Sequence, residues 1–166
     1  MGTTRPPART RQRNPGTRHP TTADLRKRHR QEYQSQARGY GRMGTSTVEL
    51  TKDNFDEIVS GSDFVLIDFW ASWCGPCRMF APVYEKAAER HSDLIFAKVD
   101  TEAQPELAAA FDIQSIPTLM IVRDNIAVFA QPGALPEQGL EEVIGQARDL
   151  DMDAVRASVA TPASDG

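Results

Sequence analysis

Cysteine is scarce in this chain, with two among 166 residues. That count excludes a scaffold held by a disulfide framework, and a zinc site would need two more ligands beside Cys74 and Cys77. Histidine is nearly as rare, with three copies. His19 and His29 lie in the N-terminal region, and His91 falls at an expected helix end, where an imidazole complements the dipole. No metal site is therefore expected. Long apolar runs are missing as well. None reaches the roughly 20 residues of a membrane-spanning helix, and nothing near Met1 has the apolar centre of a signal peptide. Phosphate loops and dinucleotide fingerprints are absent too. The expectation is a soluble, cytoplasmic protein without a membrane partner. It has room for one domain of about 100–110 residues plus tails, enough to bury a core without staples.

The net charge of −4 conceals a division. Residues 1–46 carry ten Arg and Lys27 against Asp24 and Glu32, giving +9, and the other 120 residues carry 8 basic and 21 acidic groups, giving −13. Such different balances indicate separate regions. The first 42 residues hold Pro6, Pro7, Pro15 and Pro20, and Leu25 alone among large aliphatics. They cannot bury enough apolar area to offset chain entropy, so residues 1–46 are read as a disordered basic extension. Arg26-Lys27-Arg28-His29-Arg30 suits a polyanion, but no aromatic stacking pattern or zinc spacing accompanies it. A transit peptide would need a periodic apolar face. The preferred reading is a tail without function, or a true start at Met43.

From Val48 onward strand-like and helix-like patterns alternate. Val48–Leu50 is a short strand, Thr51 caps a helix carrying Phe55, Ile58 and Val59, and Gly61 ends it. Phe64–Ala71 is a nearly continuous apolar run, the mark of a central strand covered on both faces. A helix follows from Cys74 to about His91, with a kink expected at Pro82. Leu94–Val99 is a strand, and Pro105 opens a helix to about Phe111. Thr118–Val122 and Ile126–Phe129 form a hairpin over Asp124-Asn125, residue types that tolerate positive φ. Pro136 opens a last helix through Leu140, Val143, Ile144 and Ala147. Residues 47–150 thus read as one α/β domain, and 151–166 as a flexible C-terminal tail. The order βαβαβα then ββα gives a central mixed sheet flanked by helices on both faces, with chemistry at the strands' carboxyl ends.

Both cysteines sit at such an end, in Trp73-Cys74-Gly75-Pro76-Cys77. With a helix starting at Cys74, positions i and i+3 share a face, close enough for the sulfurs to bond. Unpaired N–H groups of the first turn favour an anion there, which lowers a thiol pKa from about 8.5 toward roughly 3.5–7.5. The spacing predicts a nucleophile and a resolving partner in a reducing compartment. Gly75 and Pro76 shape the turn. Neither is cationic, whereas a His there would favour the reduced form and make an oxidant, so Gly-Pro argues for a reductant. Asp68, isolated in the apolar run, is costly to bury as an ion and should have a raised pKa, unless it lies at an exposed edge. Met79 and Phe80 read as core or as the rim of the site.

VLIDFWASWCGPCR, Lys98-Val99-Asp100 and Ser115-Ile116-Pro117-Thr118 together resemble the thioredoxins, of the bacterial cytosolic type, over roughly residues 47–150. Thioredoxins are themselves among the proteins that define the lowered thiol range quoted above. The resemblance implies the thioredoxin fold and a protein-disulfide reductase that keeps cytosolic thiols reduced. Cys74 would be the exposed nucleophile and Cys77 the resolving thiol. Asp68 would exchange a proton with Cys77, and Lys98 would lie near Asp68, with a solvated lysine as the alternative. Pro117 would be cis, with Ile116 pairing by backbone to an extended substrate. Trp73 and Trp70 would join the apolar collar, with plain core open for Trp70. Gly75, Pro76, Gly133 and Ala134 would complete the substrate groove. Pro132 departs from the usual aliphatic residue and Asn125 from the usual hairpin glycine. No bound cofactor is implied. Electrons would come from NADPH through a thioredoxin reductase, the partners being that reductase and oxidised proteins, with nucleic acid excluded and the protein a monomer. The competing reading is a scaffold or holdase whose basic tail recruits an acidic partner.

Overall fold

The computed structural model describes residues 46–160 and, apart from them, Arg28. The expected basic extension lies otherwise outside the described residues, as do 161–166. Five strands, β1 (Val48–Glu49), β2 (Phe64–Trp70), β3 (Ile95–Asp100), β4 (Thr118–Arg123) and β5 (Ile126–Pro132), form one sheet in the order β1-β3-β2-β4-β5. The β1–β3 and β2–β3 pairs are parallel, and β2–β4 and β4–β5 antiparallel. The sheet is therefore mixed, as expected. Helices α1 (Phe55–Ser60), α2 (Gly75–Arg90), α3 (Pro105–Ala110), α4 (Glu137–Asp149) and α5 (Met152–Ala160) complete the described elements.

The apolar run of β2 is explained by two cores. Val65, Ile67 and Phe69 pack on one face with Ile58, Val59, Val99 and Leu107. Leu66 packs on the other with Phe80, Tyr84, Phe96, Leu140 and Ile144. Side chains alternate across a strand, so Asp68 and Trp70 share the Leu66 face beneath α2. Helix α2 turns the stripe Cys77, Phe80, Tyr84, Ala87 and Ala88 inward, a 3.6-residue period. It continues through Pro82 without interruption. Its far end is tied to α4, where Arg90 pairs with Glu137 and Glu141, and His91 Nε2 lies 2.7 Å from Glu141. Tyr84 anchors the middle, its buried hydroxyl donating to the Ala97 carbonyl at 2.9 Å.

The hairpin turn has Asp124 at φ 51° and Asn125 at φ 65°, the paired positive values that match strand twist. Two expectations need correction. Thr51 does not cap α1: its carbonyl accepts from the Asn54 and Phe55 amides and its own N–H donates to Asn54 Oδ1, so it opens a turn before the helix. The C-terminal tail is also not structureless from 151. Asp151 Oδ1 accepts from the Asp153 and Ala154 amides at 3.0 and 3.2 Å, an aspartate N-cap that starts α5. Met152 is buried, and Arg156 pairs with Asp124 on the hairpin at 2.5 Å.

Candidate active site

Strand β2 ends at Trp70, and four residues later Cys74 stands at the N-cap of α2 with extended backbone. Cys74 and Cys77 are joined in a disulfide, their Cα atoms 5.2 Å apart. Cys74 Sγ also accepts a hydrogen bond from the Cys77 amide at 3.2 Å. That donor is one of the N–H groups a helix start leaves without a backbone partner. After reduction the same geometry favours a thiolate on Cys74 over a thiol. Pro76, in the first helical turn, has no N–H to leave unpaired.

The sequence casts Cys74 as the exposed cysteine. In the oxidised form the two differ little, with 4% and 3% of their surfaces exposed. They form a small apolar cluster with Ala71, against which Trp70 and Ile116 pack. Access distinguishes them. Cys74 lines a groove of about 500 Å³ with Trp73, Gly75, Pro76, Thr101, Ile113 and Ile116, and Cys77 does not. Trp73 is 64% exposed beside it, and Trp70 is half-buried, serving core and site together. Phe80 belongs to the core, whereas Met79 is an exposed rim residue.

The Ile116–Pro117 peptide is cis. The Ile116 carbonyl lies 3.7 Å from Cys74 Sγ, a contact only, because a disulfide sulfur carries no proton to donate. Gly133, at φ +104°, donates its N–H to the Pro117 carbonyl at 2.8 Å. Few L-residues with side chains adopt that φ. The register Thr118↔Pro132 makes the neighbouring 117/133 positions the hydrogen-bonded pair. The nitrogen of Pro132 therefore faces away from β4, and proline costs no ladder bond there.

Asp68 has no exposed surface and neither carboxyl oxygen has a hydrogen-bond partner. Burial raises its pKa from 3.8 to about 7, with the Lys98 ammonium opposing the shift. The exposed-edge alternative is thereby excluded. Lys98 is paired with Asp68 in the parallel ladder, and its Nζ lies 4.9 Å from the centroid of the Trp70 ring. Tyr84 faces Asp68 from α2, and burial together with that carboxylate pushes its phenol well up.

Several groups that shape the site carry no signal in the sequence. Thr101 donates twice to the Trp70 carbonyl, from N–H at 2.9 Å and from Oγ1 at 3.1 Å. Glu102 Oε1 accepts from the Trp73 indole N–H at 2.7 Å. Both lie in the β3–α3 loop, where neither periodicity nor a motif marks them. A second depression of about 340 Å³, lined by Phe64, Arg123 and Arg148 among others, lies at the other end of the sheet, away from the sulfurs. Among the described residues no group of three or more His, Cys, Asp and Glu could hold a metal ion, and no helix is long and apolar enough to cross a membrane.

A cysteine pair that opens and closes at a helix start, on this sheet, defines a thiol–disulfide oxidoreductase. The thioredoxin family model matches residues 46–146. The chain is 74% identical over 116 residues to a Streptomyces coelicolor protein assigned as thioredoxin 2, covering 70% of this chain and 87% of that protein. It is 44% identical over 97 residues to the thioredoxin of Alicyclobacillus acidocaldarius, covering 58% and 92%. Among solved structures it resembles a mutant thioredoxin of Halobacterium salinarum, with a TM-score of 0.59, 32% identity, and coverage of 64% of this chain and 95% of that one. The chain belongs to the thioredoxin family. It is a dithiol–disulfide reductase, and the family implies reductase and protein-disulfide partners in general.

Proposed function

We propose that the chain reduces protein disulfides in the cytoplasm as a monomer, with Cys74 attacking and Cys77 resolving. The observation that carries this assignment is the Cys77 amide donating to Cys74 Sγ at a helix N-cap that also lines the groove. In the reduced chain the Cys74 thiolate attacks one sulfur of a substrate disulfide. The substrate S–S bond breaks, its other sulfur leaves as a thiolate and takes a proton, and a mixed disulfide forms. Cys77 then loses its proton to the Asp68 carboxylate and attacks Cys74 Sγ. The second substrate thiolate departs and the Cys74–Cys77 bond closes, so two electrons have passed to the substrate. A base with a pKa of about 7 suits that transfer at neutral pH. Lys98, paired with Asp68 in the ladder, opposes the rise in its pKa. Ile116, Pro117 and Gly133 hold the extended substrate, with Trp73, Gly75 and Pro76 forming the opposite rim.

No cofactor is bound in this cycle. Electrons return from NADPH through a thioredoxin reductase, which reopens the disulfide by the same exchange chemistry. Nucleic acid is not a partner of the domain. Insulin reduction tests the assignment. Cys74→Ser should abolish turnover, and Cys77→Ser should accumulate a mixed disulfide visible by mass spectrometry. Full rates in both variants would sink it, leaving the scaffold reading in place.

A further inference from the structure

Trp73 is the largest exposed hydrophobic side chain beside the redox pair, at 64% exposure, and it lines the groove that reaches Cys74. Packing alone restrains such a ring weakly, since exposed side chains change rotamer on the picosecond-to-nanosecond scale. Its indole N–H instead donates to Glu102 Oε1 at 2.7 Å, short for N–H···O and assisted by the carboxylate charge. Glu102 is held in turn. Its amide donates to Asp100 Oδ1 at 3.0 Å and that of Ala103 to the same oxygen at 3.4 Å, while Thr101 is fixed twice on the Trp70 carbonyl. The end of β3 therefore presents a preorganised acceptor to an otherwise loose ring. Glu102 does not line the groove itself, so any influence it has on a substrate passes through the indole.

We propose that Glu102 is a positioning residue for substrate docking: its carboxylate holds the Trp73 indole as a fixed wall of the groove beside Cys74, and thereby sets how tightly protein disulfides bind. The inference rests on the reductase reading above. A ring that must be ordered on every encounter adds an entropic cost to binding. That cost falls on substrates long enough to lie against the wall. A small aryl disulfide reaches Cys74 without it.

The test uses the full chain with Glu102→Ala and Glu102→Gln, the latter keeping an oxygen able to accept the indole proton. Two readouts are taken: solvent exchange of the Trp73 indole N–H, assigned by its loss in Trp73→Phe, and steady-state reduction of insulin and of a small aryl disulfide. In Glu102→Ala the indole proton should exchange about tenfold faster and the KM for insulin should rise about fivefold, the scale of one lost charge-assisted hydrogen bond at an exposed site. Its kcat, and the rate with the small disulfide, should stay within about twofold of the unaltered chain. Glu102→Gln should restore both readouts. Unchanged exchange or an unchanged insulin KM in Glu102→Ala overturns the proposal, as does an equal loss toward both substrates, which would assign Glu102 to the cysteine chemistry. If the unaltered chain fails to reduce insulin, the reductase reading falls instead, and indole exchange still decides whether Glu102 braces the ring.

Discussion

At Asp68 a carboxyl group has no exposed surface and no hydrogen-bond partner, so it works against folding whenever it is ionised. The sign with pH follows from its pKa, raised from 3.8 to about 7 mainly by burial. Below about pH 4 the group is protonated in folded and unfolded chains alike, and it contributes nothing to the difference. Between these values the folded state keeps a proton that the unfolded chain has lost, so stability falls as pH rises. Above pH 7 the full penalty applies, roughly 4 kcal/mol for a shift of this size. Asp68→Asn should therefore stabilise the chain by about 2–4 kcal/mol at pH 8 and hardly at all at pH 4, measured by urea unfolding across that range. A gain independent of pH would mean that the carboxyl is not the source. The same variant should slow closure of the mixed disulfide, because Cys77 loses its base. Lys98 does not remove the conflict, since it opposes the raised pKa without making a hydrogen bond to either oxygen.

At the scale of elements, helix α4 illustrates how a strand residue completes a helix. Arg123, the last residue of β4, donates from Nη1 to the carbonyls of Ala147, Arg148 and Leu150 at 2.7, 3.1 and 3.2 Å. These lie at the C-terminus of α4, where carbonyls lack intrahelical partners and the dipole favours a cation. Its guanidinium also stacks 5.6 Å from the Phe64 ring centroid. Arg123→Met keeps an apolar stem and should cost about 2 kcal/mol in urea unfolding, with insulin reduction intact because the site is at the other end of the sheet. A loss below about 0.5 kcal/mol would show that water satisfies those carbonyls equally well. Such long-range ties set the limit of what the sequence reveals. The strands, the hairpin and the redox helix were legible because apolar run length, Asp124-Asn125 and CxxC encode geometry locally. Cys74, Cys77 and Pro117 were legible because few chemistries need those residue types in that order. Glu102, Thr101 and Tyr84 were not, since each matters through a partner 13 to 31 residues away. Helix α5 could have been found from its Asp151 cap and the Met152, Val155, Val159 spacing. Its small residues and terminal position suggested fraying instead.

For the whole molecule the governing feature is charge, with +9 on residues 1–46 and −13 on the rest. Opposite balances of this size attract in dilute buffer. The attraction is screened over about 10 Å at 0.1 M salt, so contact of the extension with the domain should fade near physiological ionic strength. The redox site draws its groove, helix start and buried carboxyl from residues 68–133, far along the chain from the extension. Deleting residues 1–45 should accordingly leave kcat/KM for insulin reduction within about twofold at 0.15 M salt. It should also convert a chain retained on an immobilised polyanion at low salt into one retained only on an anion exchanger, since the remainder is strongly acidic. Loss of insulin reduction on deletion would place the extension in the substrate site. Loss of a salt-resistant protein partner, with reduction unchanged, would instead favour the scaffold function for the extension while the domain remained a reductase.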